Sequence, residues 1–151
     1  MVLSLDVGTR TIGLARSDAG RRFVFPERTL ARRSVQKDVA ELAGLCRAHA
    51  VRQLVVGLPT GLAGEETRST RLARQVGEAL ALQTGLPLDW MDEQYTTVEA
   101  ERRLLDAGLD GRARRPVVDQ EAAVVILEDW LGKRASAPPV ASPLPDGGSA
   151  R

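Results

Sequence analysis

The sequence predicts an α/β fold in which a mixed five-stranded sheet carries helices on both faces. Three observations support this class. The 151 residues, 43% hydrophobic and 27% charged, suffice for one domain with an ordinary core. Three short apolar segments separated by turn residues open the chain, which is typical of an antiparallel meander. Later segments alternate between strand-like runs and helical spacing, which is typical of parallel strand–helix units.

The predicted meander covers about the first 25 residues of the chain. Val2–Leu5 is an apolar run that ends at Asp6 and predicts a buried strand. Thr11–Ser17 predicts a second strand, and Arg22–Phe25 predicts a third that ends before Pro26.

The remaining elements follow from a change in the period of the apolar residues. Ser34 is a suitable N-cap for a first helix, and Gly85 a suitable terminator for a second. The predicted order is a helix over Val35–Cys46, a strand over Gln53–Val56, a helix around Leu72–Leu80, a strand over Leu86–Met91, a helix from Thr96 through Leu105, a loop over Gly108–Pro116 and a helix around Ala122–Trp130.

Composition divides the chain after residue 134. Residues 1–134 carry the predicted domain. Residues 135–151 are rich in Pro, Ala, Gly and Ser and contain almost no large apolar side chain. We therefore expect a disordered tail, because such a segment cannot form a packed core.

Several classes of protein are excluded by composition. Cys46 is the only cysteine and His49 the only histidine, so neither an internal disulfide nor a zinc cluster can form. No apolar run approaches the roughly 18 residues of a membrane span, and no signal-like segment follows Met1, which favours the cytoplasm. The net charge of +1 does not by itself indicate a nucleic-acid partner.

Three carboxylates lie at the ends of predicted core elements. Asp6 ends the first strand, Glu93 follows the fifth, and Asp119 precedes the last helix. Each also has a simpler interpretation, as a turn cap, a solvated loop residue and a helix cap respectively. Gathered together they would repel one another, and a hard divalent cation, Mg²⁺ or Mn²⁺ rather than zinc, would offset that repulsion. Two such ions could clamp the attacking and leaving oxygens of a phosphodiester.

Gly57 ends the fourth predicted strand and fits the same scheme. If that strand lies between the first and the fifth, the backbones near Asp6 and Glu93 are about 10 Å apart. Gly57 has no side chain, so metal and phosphate could occupy the gap between them. An ordinary turn glycine is the alternative interpretation.

Four blocks of the sequence resemble, in order, those of the YqgF/RuvX family of Holliday-junction resolvases and pre-rRNA-processing nucleases. The blocks are DVGTRTIGLA at 6–15, VVGLP at 55–59 with Gly64 following, DEQYTTVEA at 92–100 and VDQEAAVVIL at 118–127. Together they span about residues 2–131.

The resemblance implies a ribonuclease-H-like fold and a metal-dependent nuclease acting on branched DNA or on precursor 16S rRNA. It implies that Asp6, Glu93 and Asp119 are the catalytic acids that bind the metal ions. A Holliday junction requires two symmetric cuts, which favours a homodimer. The chain departs from the family at Gln94, where an arginine is usual.

Substrate binding would come from arginines, since aromatic residues make up only 3% of the chain and cannot provide a stacking platform. Recognition of the backbone and of shape is therefore expected. For the arginines at 68–74, a solvated helix face is the alternative. The candidate residues are Arg10, Arg68, Arg71, Arg74, Arg112, Arg114 and Arg115.

Two other functions compete with the nuclease. A phosphotransferase of the ATPase or sugar-kinase type also begins with a strand and a glycine-containing hairpin, but it needs two such domains to close over the nucleotide. A non-catalytic nucleic-acid-binding or regulatory module could keep the fold without the chemistry. Gln94 slightly favours that module, whereas the presence of all three acids argues against it.

Overall fold

The computed structural model describes residues 1–59, 66–92 and 111–136, and in the last of these segments the side chains from 120 to 134. The helix predicted from Thr96 lies outside the described residues. The elements are β1 (Val2–Val7), β2 (Thr11–Ser17), β3 (Val24–Ala31), α1 (Val35–Ala48), β4 (Gln53–Leu58), α2 (Arg68–Thr84), β5 (Leu88–Asp92) and α3 (Gly111–Ser136).

The five strands form one sheet in the order β3-β2-β1-β4-β5. The meander β1-β2-β3 is antiparallel, whereas β4 pairs in parallel with both β1 and β5. This arrangement confirms the predicted mixed sheet. It also confirms that the fourth strand lies between the first and the fifth, which was the condition for the predicted gap at Gly57.

Helices cover both faces of the sheet, as predicted. Side chains alternate along β1, so Leu3 and Leu5 pack with α1 and α2 in the larger apolar cluster. Val2 lies on the other face and packs against Leu127 and Trp130 of α3. The central strand is therefore buried on both sides.

Two caps fix the helices of the larger cluster. The Ser34 side chain accepts a hydrogen bond of 3.1 Å from the backbone N–H of Lys37, which confirms the predicted N-cap of α1. Gly85 follows α2 with a φ of 73°, a left-handed conformation that glycine adopts without a Cβ clash.

The prediction that the third strand ends before Pro26 is wrong. β3 begins at Val24 and continues through Pro26 to Ala31. It forms the outer edge of the sheet, where a missing N–H is tolerated, and its pairing with β2 is shifted by one residue next to Pro26. The proline lies at a β-bulge and does not terminate the strand.

The loop predicted over Gly108–Pro116 is wrong in its second part, because α3 already begins at Gly111. Pro116 lies in the second turn of this helix, so the backbone N–H that would donate to the carbonyl of residue 112 is missing there. α3 also continues to Ser136, two residues past the predicted domain boundary. None of the helices in the described segments is both long enough and apolar enough to cross a membrane.

Candidate active site

Asp6 lies at the carboxyl end of the central strand. It is the penultimate residue of β1, it is only partly exposed, and its Cα pairs with that of Gly13 on β2. Alternation places Asp6 on the same face as Val2 and Ser4, which is the face covered by α3. The acid predicted at the end of the first strand is therefore presented to α3.

The turn after Asp6 is tight. The backbone N–H of Gly8 donates to the carbonyl of Thr11 over 2.8 Å, which closes the β1–β2 hairpin. A Cβ at Gly8 would lie 3.1 Å from that same carbonyl oxygen, so the turn would have to shift by a few tenths of an ångström to admit a side chain. Glycine avoids this close contact.

Helix α3 is set on the sheet by contacts at two levels. The Ser4 hydroxyl of β1 donates to the carbonyl of Ala123 over 2.7 Å. Later in the helix, the centre of the Trp130 ring lies 5.8 Å from the Arg21 guanidinium in the β2–β3 turn, at the amino end of β1, and the indole N–H donates over 2.8 Å to Asp89 of β5. From Ala123 to Trp130 the helix therefore runs toward the amino end of β1, and its residues before Ala123 extend toward the Asp6 end of the strand.

Asp119 belongs to this part of α3. Its backbone lies one helical turn before Ala123, on the Asp6 side of the contact with Ser4. Its side chain is outside the described set, so its predicted role as a metal ligand stays a prediction.

Gly57 lies on β4, the strand next to β1, at the level of Asp6. Leu5 pairs with Val56, and on the other side Gly57 pairs with Met91 of β5. Two interstrand steps separate β1 from β5, which corresponds to about 10 Å. Glu93 follows β5 in the sequence but lies outside the described residues, so its role also stays a prediction.

The donor chemistry of this edge suits a hard cation. Asp6 supplies carboxylate oxygens, the ligand type that Mg²⁺ and Mn²⁺ prefer. No group of three His, Cys, Asp or Glu side chains is assembled among those that the structure describes. Because Glu93 and the Asp119 side chain are not in that set, this result does not test the predicted three-acid centre.

The predicted nucleic-acid-binding arginines are distributed over several elements. Arg10 is exposed in the turn that follows Asp6. Arg68, Arg71 and Arg74 are exposed on α2, which covers the face opposite to Asp6. α2 begins at the carboxyl edge of the sheet, where Thr70 donates to the carbonyl of Pro59.

The three candidate arginines on α2 therefore begin beside the candidate site and continue along the helix away from it. Arg74 forms an ion pair of 3.1 Å with Glu66. The other three candidates, Arg112, Arg114 and Arg115, lie in the first turns of α3, where only the backbone is described.

Sequence reasoning missed a buried ion pair beside the turn. Arg32 Nε lies 3.1 Å from Asp38 Oδ2, and the two side chains are only 10% and 2% exposed. Arg32 also donates to the carbonyl of Gly8 over 3.2 Å. Asp38 lies in the first turn of α1, a favourable place for any acid, so its type alone did not single it out.

Ser4 was missed as well, although the sequence contains a signal for it. It is a fully buried polar residue between Leu3 and Leu5 in an otherwise apolar strand. A buried hydroxyl needs a hydrogen-bond partner, and here the partner is the α3 backbone.

Comparison with known proteins decides the family. The model of the family described as RuvX, Holliday junction resolvase, matches residues 1–133. The chain belongs to this family. A relative from Nitratidesulfovibrio vulgaris, named "Putative pre-16S rRNA nuclease", is 45% identical over 129 residues, which cover 85% of this chain and 91% of the relative. A relative of the same name from Frankia casuarinae is 43% identical over 91% of this chain and 69% of its own length.

Solved structures confirm the ribonuclease-H-like fold. RuvC from Thermus thermophilus in complex with Holliday junction substrate superposes with a TM-score of 0.59 at 17% identity, over 90% of this chain and 96% of that chain. A second structure of Thermus thermophilus RuvC gives a TM-score of 0.56 at 12% identity, over 89% and 95%. The predicted resemblance is confirmed, and the RuvX family is one of nucleases.

Proposed function

We propose that the protein is a metal-dependent endonuclease that hydrolyses phosphodiester bonds in structured nucleic acid. Its substrates would be Holliday junction DNA, precursor 16S rRNA, or both. The observation that carries the proposal is the position of Asp6, a partly exposed carboxylate at the end of the central strand, on the face along which α3 runs. Membership of a nuclease family supports it.

In this proposal Asp6, Glu93 and Asp119 would hold two divalent ions, either Mg²⁺ or Mn²⁺. When bound, the ions supply Lewis-acid stabilisation of the charge on the attacking and leaving oxygens. Asp6 contributes carboxylate oxygens from a backbone that is paired with Gly13 of β2, and the preceding Leu5 is paired with Val56 of β4, so its position is well defined. Hydrolysis leaves a 3′-hydroxyl and a 5′-phosphate.

The arginines orient the substrate. Arg10, in the turn that follows Asp6, is exposed and close enough in sequence to contact a phosphate beside the scissile bond. A guanidinium binds a phosphate with two parallel hydrogen bonds, which orients the phosphate as well as attracting it. Arg112, Arg114 and Arg115 would add positive charge at the start of α3, and Arg68 and Arg71 would contact a flanking segment.

A homodimer would serve a four-way junction, because its two-fold symmetry matches that of two paired cuts. A precursor rRNA end needs one cut and no such symmetry. The oligomeric state under cleavage conditions therefore separates the two substrates.

The test is a cleavage assay on a four-way DNA junction and on precursor 16S rRNA, each with Mg²⁺, Mn²⁺ or EDTA. We expect cleavage that requires a divalent ion and is lost separately in Asp6→Asn, Glu93→Gln and Asp119→Asn. The Arg52→Ala variant, at the opposite edge of the sheet, is the matched control and should cleave normally. Tight binding of either substrate without metal-dependent cleavage would contradict the proposal and favour a non-catalytic binding module.

A further inference from the structure

The β1–β2 turn is held from outside by a buried ion pair on a different part of the chain. Arg32 lies just after β3, and Asp38 lies in the first turn of α1. Their side chains are 10% and 2% exposed. Neither residue is among the acids and arginines proposed to bind metal or substrate.

The two residues make a connected set of hydrogen bonds. Arg32 Nε donates to Asp38 Oδ2 over 3.1 Å, and Arg32 NH1 donates to the carbonyl of Gly8 over 3.2 Å. The backbone N–H of Arg32 donates to the carbonyl of Arg10 over 2.8 Å. Asp38 Oδ1 accepts from the backbone N–H of Arg33 over 3.1 Å. The turn is thus fixed through two of its own carbonyl groups.

An arginine is required for this arrangement. The planar guanidinium presents several N–H donors in fixed directions, so one side chain can bond Asp38 and Gly8 at the same time. The ammonium of a lysine could remain near Asp38 but would not reproduce both directed bonds. A buried ion pair is also weak evidence of a stabilising role, because desolvation offsets much of the attraction.

We propose that Arg32 and Asp38 are positioning residues, which hold the turn over Gly8–Arg10 so that Asp6 and Arg10 keep the orientation needed for metal and phosphate binding. This inference rests on the proposed nuclease function. Asp6 is two residues from the carbonyl that Arg32 binds, so a shift of the turn is transmitted to it directly. Groups that orient metal ligands typically change metal affinity or activity by about 10- to 100-fold when removed.

A second arginine–carboxylate pair, near the amino end of β1, provides a matched control. Arg16 Nε lies 2.6 Å from Glu27 Oε1, and these side chains are 31% and 16% exposed. This pair also joins an arginine and a carboxylate across the meander. Arg16 pairs with Leu3, near the amino end of β1, far from Asp6 along the strand.

The experiment compares Arg32→Lys with Arg16→Lys. For Arg32→Lys we expect a folded protein whose Mn²⁺ affinity, measured by calorimetry without substrate, falls by about 10- to 100-fold. We expect kcat to fall over the same range of about 10- to 100-fold, with a smaller rise in KM. Arg16→Lys should keep wild-type Mn²⁺ affinity and kcat. Asp38→Asn should act in the same direction as Arg32→Lys, and if it does not fold, Arg32→Lys alone decides.

A structural role alone would give a different result. It would lower the melting temperature of Arg32→Lys while leaving Mn²⁺ affinity and kcat at wild-type values below that temperature, and this outcome overturns the proposal. If wild-type protein neither binds Mn²⁺ nor cleaves, the proposed function fails instead. Hydrogen exchange of the Gly8 amide then tests whether Arg32 positions the turn. Exchange should be faster in Arg32→Lys and unchanged in Arg16→Lys. Equal exchange rates in the two variants overturn the proposal.

Discussion

The two faces of the sheet are packed differently. The face under α1 and α2 carries one large apolar cluster, with residues such as Leu5, Leu54 and Val56 fully buried in it. The face under α3 carries two smaller clusters, and the buried hydroxyl of Ser4 binds the helix backbone beside them. Asp6 lies on this second face. The comparison indicates that one face supplies stability, whereas the other sets a helix in register beside the candidate site.

The largest effect should be on activity and should come from the α3 face. Asp6→Asn keeps the shape of the side chain but removes its charge. We expect cleavage to fall by more than about 100-fold, the upper value for groups that only orient ligands. If Asp6, Glu93 and Asp119 converge as proposed, the melting temperature in the absence of metal should stay the same or rise, because one of three mutually repelling charges is removed.

Cleavage rates and metal-free thermal unfolding measure the two parts of this prediction. Marked destabilisation with activity retained would instead support the simpler interpretation of Asp6 as a turn cap.

Leu54→Ala tests the opposite face. Leu54 is fully buried on β4, so truncation leaves a cavity and should lower the free energy of unfolding by about 2–5 kcal/mol. Below its melting temperature the folded variant should cleave at the wild-type rate. Urea unfolding and single-turnover cleavage provide the measurements. A loss of activity larger than the loss of folded protein would show that the two faces are not separate in function.

Ser4→Ala removes the contact that sets α3 on the central strand. We expect about 1–3 kcal/mol of destabilisation, because a buried hydrogen bond is lost, and a reduced kcat, because α3 carries Asp119. Ser17→Ala is the control. The Ser17 hydroxyl accepts a 2.9 Å hydrogen bond from Val2 at the other end of β1. It should destabilise to a similar extent without lowering kcat, and equal kcat values in both variants would contradict the prediction.

Gly77→Ala examines how tightly α2 approaches the sheet. A Cβ at Gly77 would lie 2.8 Å from Trp90 Cη2, and the indole ring is a rigid neighbour. We expect about 1–3 kcal/mol of destabilisation from overpacking, although alanine favours a helix more than glycine does. Gly132→Ala on α3 meets no atom within 4 Å and should be neutral or stabilising. Chemical denaturation of both variants gives the comparison.

The smallest effect concerns Cys46, a buried thiol of the larger cluster. Burial raises its pKa to about 11. At pH 8 about 0.1% of the thiol is then ionised in the folded protein, against about a quarter in an unfolded chain with a pKa of about 8.5. Labelling by a thiol reagent should therefore be far slower in native protein than in urea.

The pH dependence of stability follows from the same shift. The folded state disfavours the thiolate, so the stability associated with Cys46 is fully present below pH 8.5, the approximate pKa of the unfolded chain, and declines as the pH rises toward about 11. Unfolding of Cys46→Ser should lack this decline. Rapid labelling of native protein at pH 8 would show that the helices of this cluster open readily.

Much of the fold was predictable because local signals agree with the tertiary arrangement. The second strand over Thr11–Ser17 and the Ser34 cap of α1 were predicted at their observed places. The third strand was not, because Pro26 ends a strand by propensity, while its edge position and the adjacent bulge tolerate it. The start of α3 was missed for a similar reason, since Gly111 and Pro116 have loop-like chemistry.

The candidate site was predictable only in part. Asp6 stood out as an acid at the end of an apolar run, and the structure places it on the face along which α3 runs. Arg32 and Asp38 could not be identified, because charged residues near a helix start usually face solvent. The bond from Arg32 to Gly8 depends on the return of β3 past the β1–β2 turn, which only the assembled sheet determines.

The bulge in β3 has a consequence for how molecules of this protein behave toward one another. Glu27 has no partner residue in β2, and Pro26 beside it lacks an amide hydrogen. An approaching peptide strand would therefore meet an irregular row of donors and acceptors midway along this outer border. Edge-to-edge polymerisation is discouraged on that side by the strand itself, so concentrated solutions should resist fibril growth through β3.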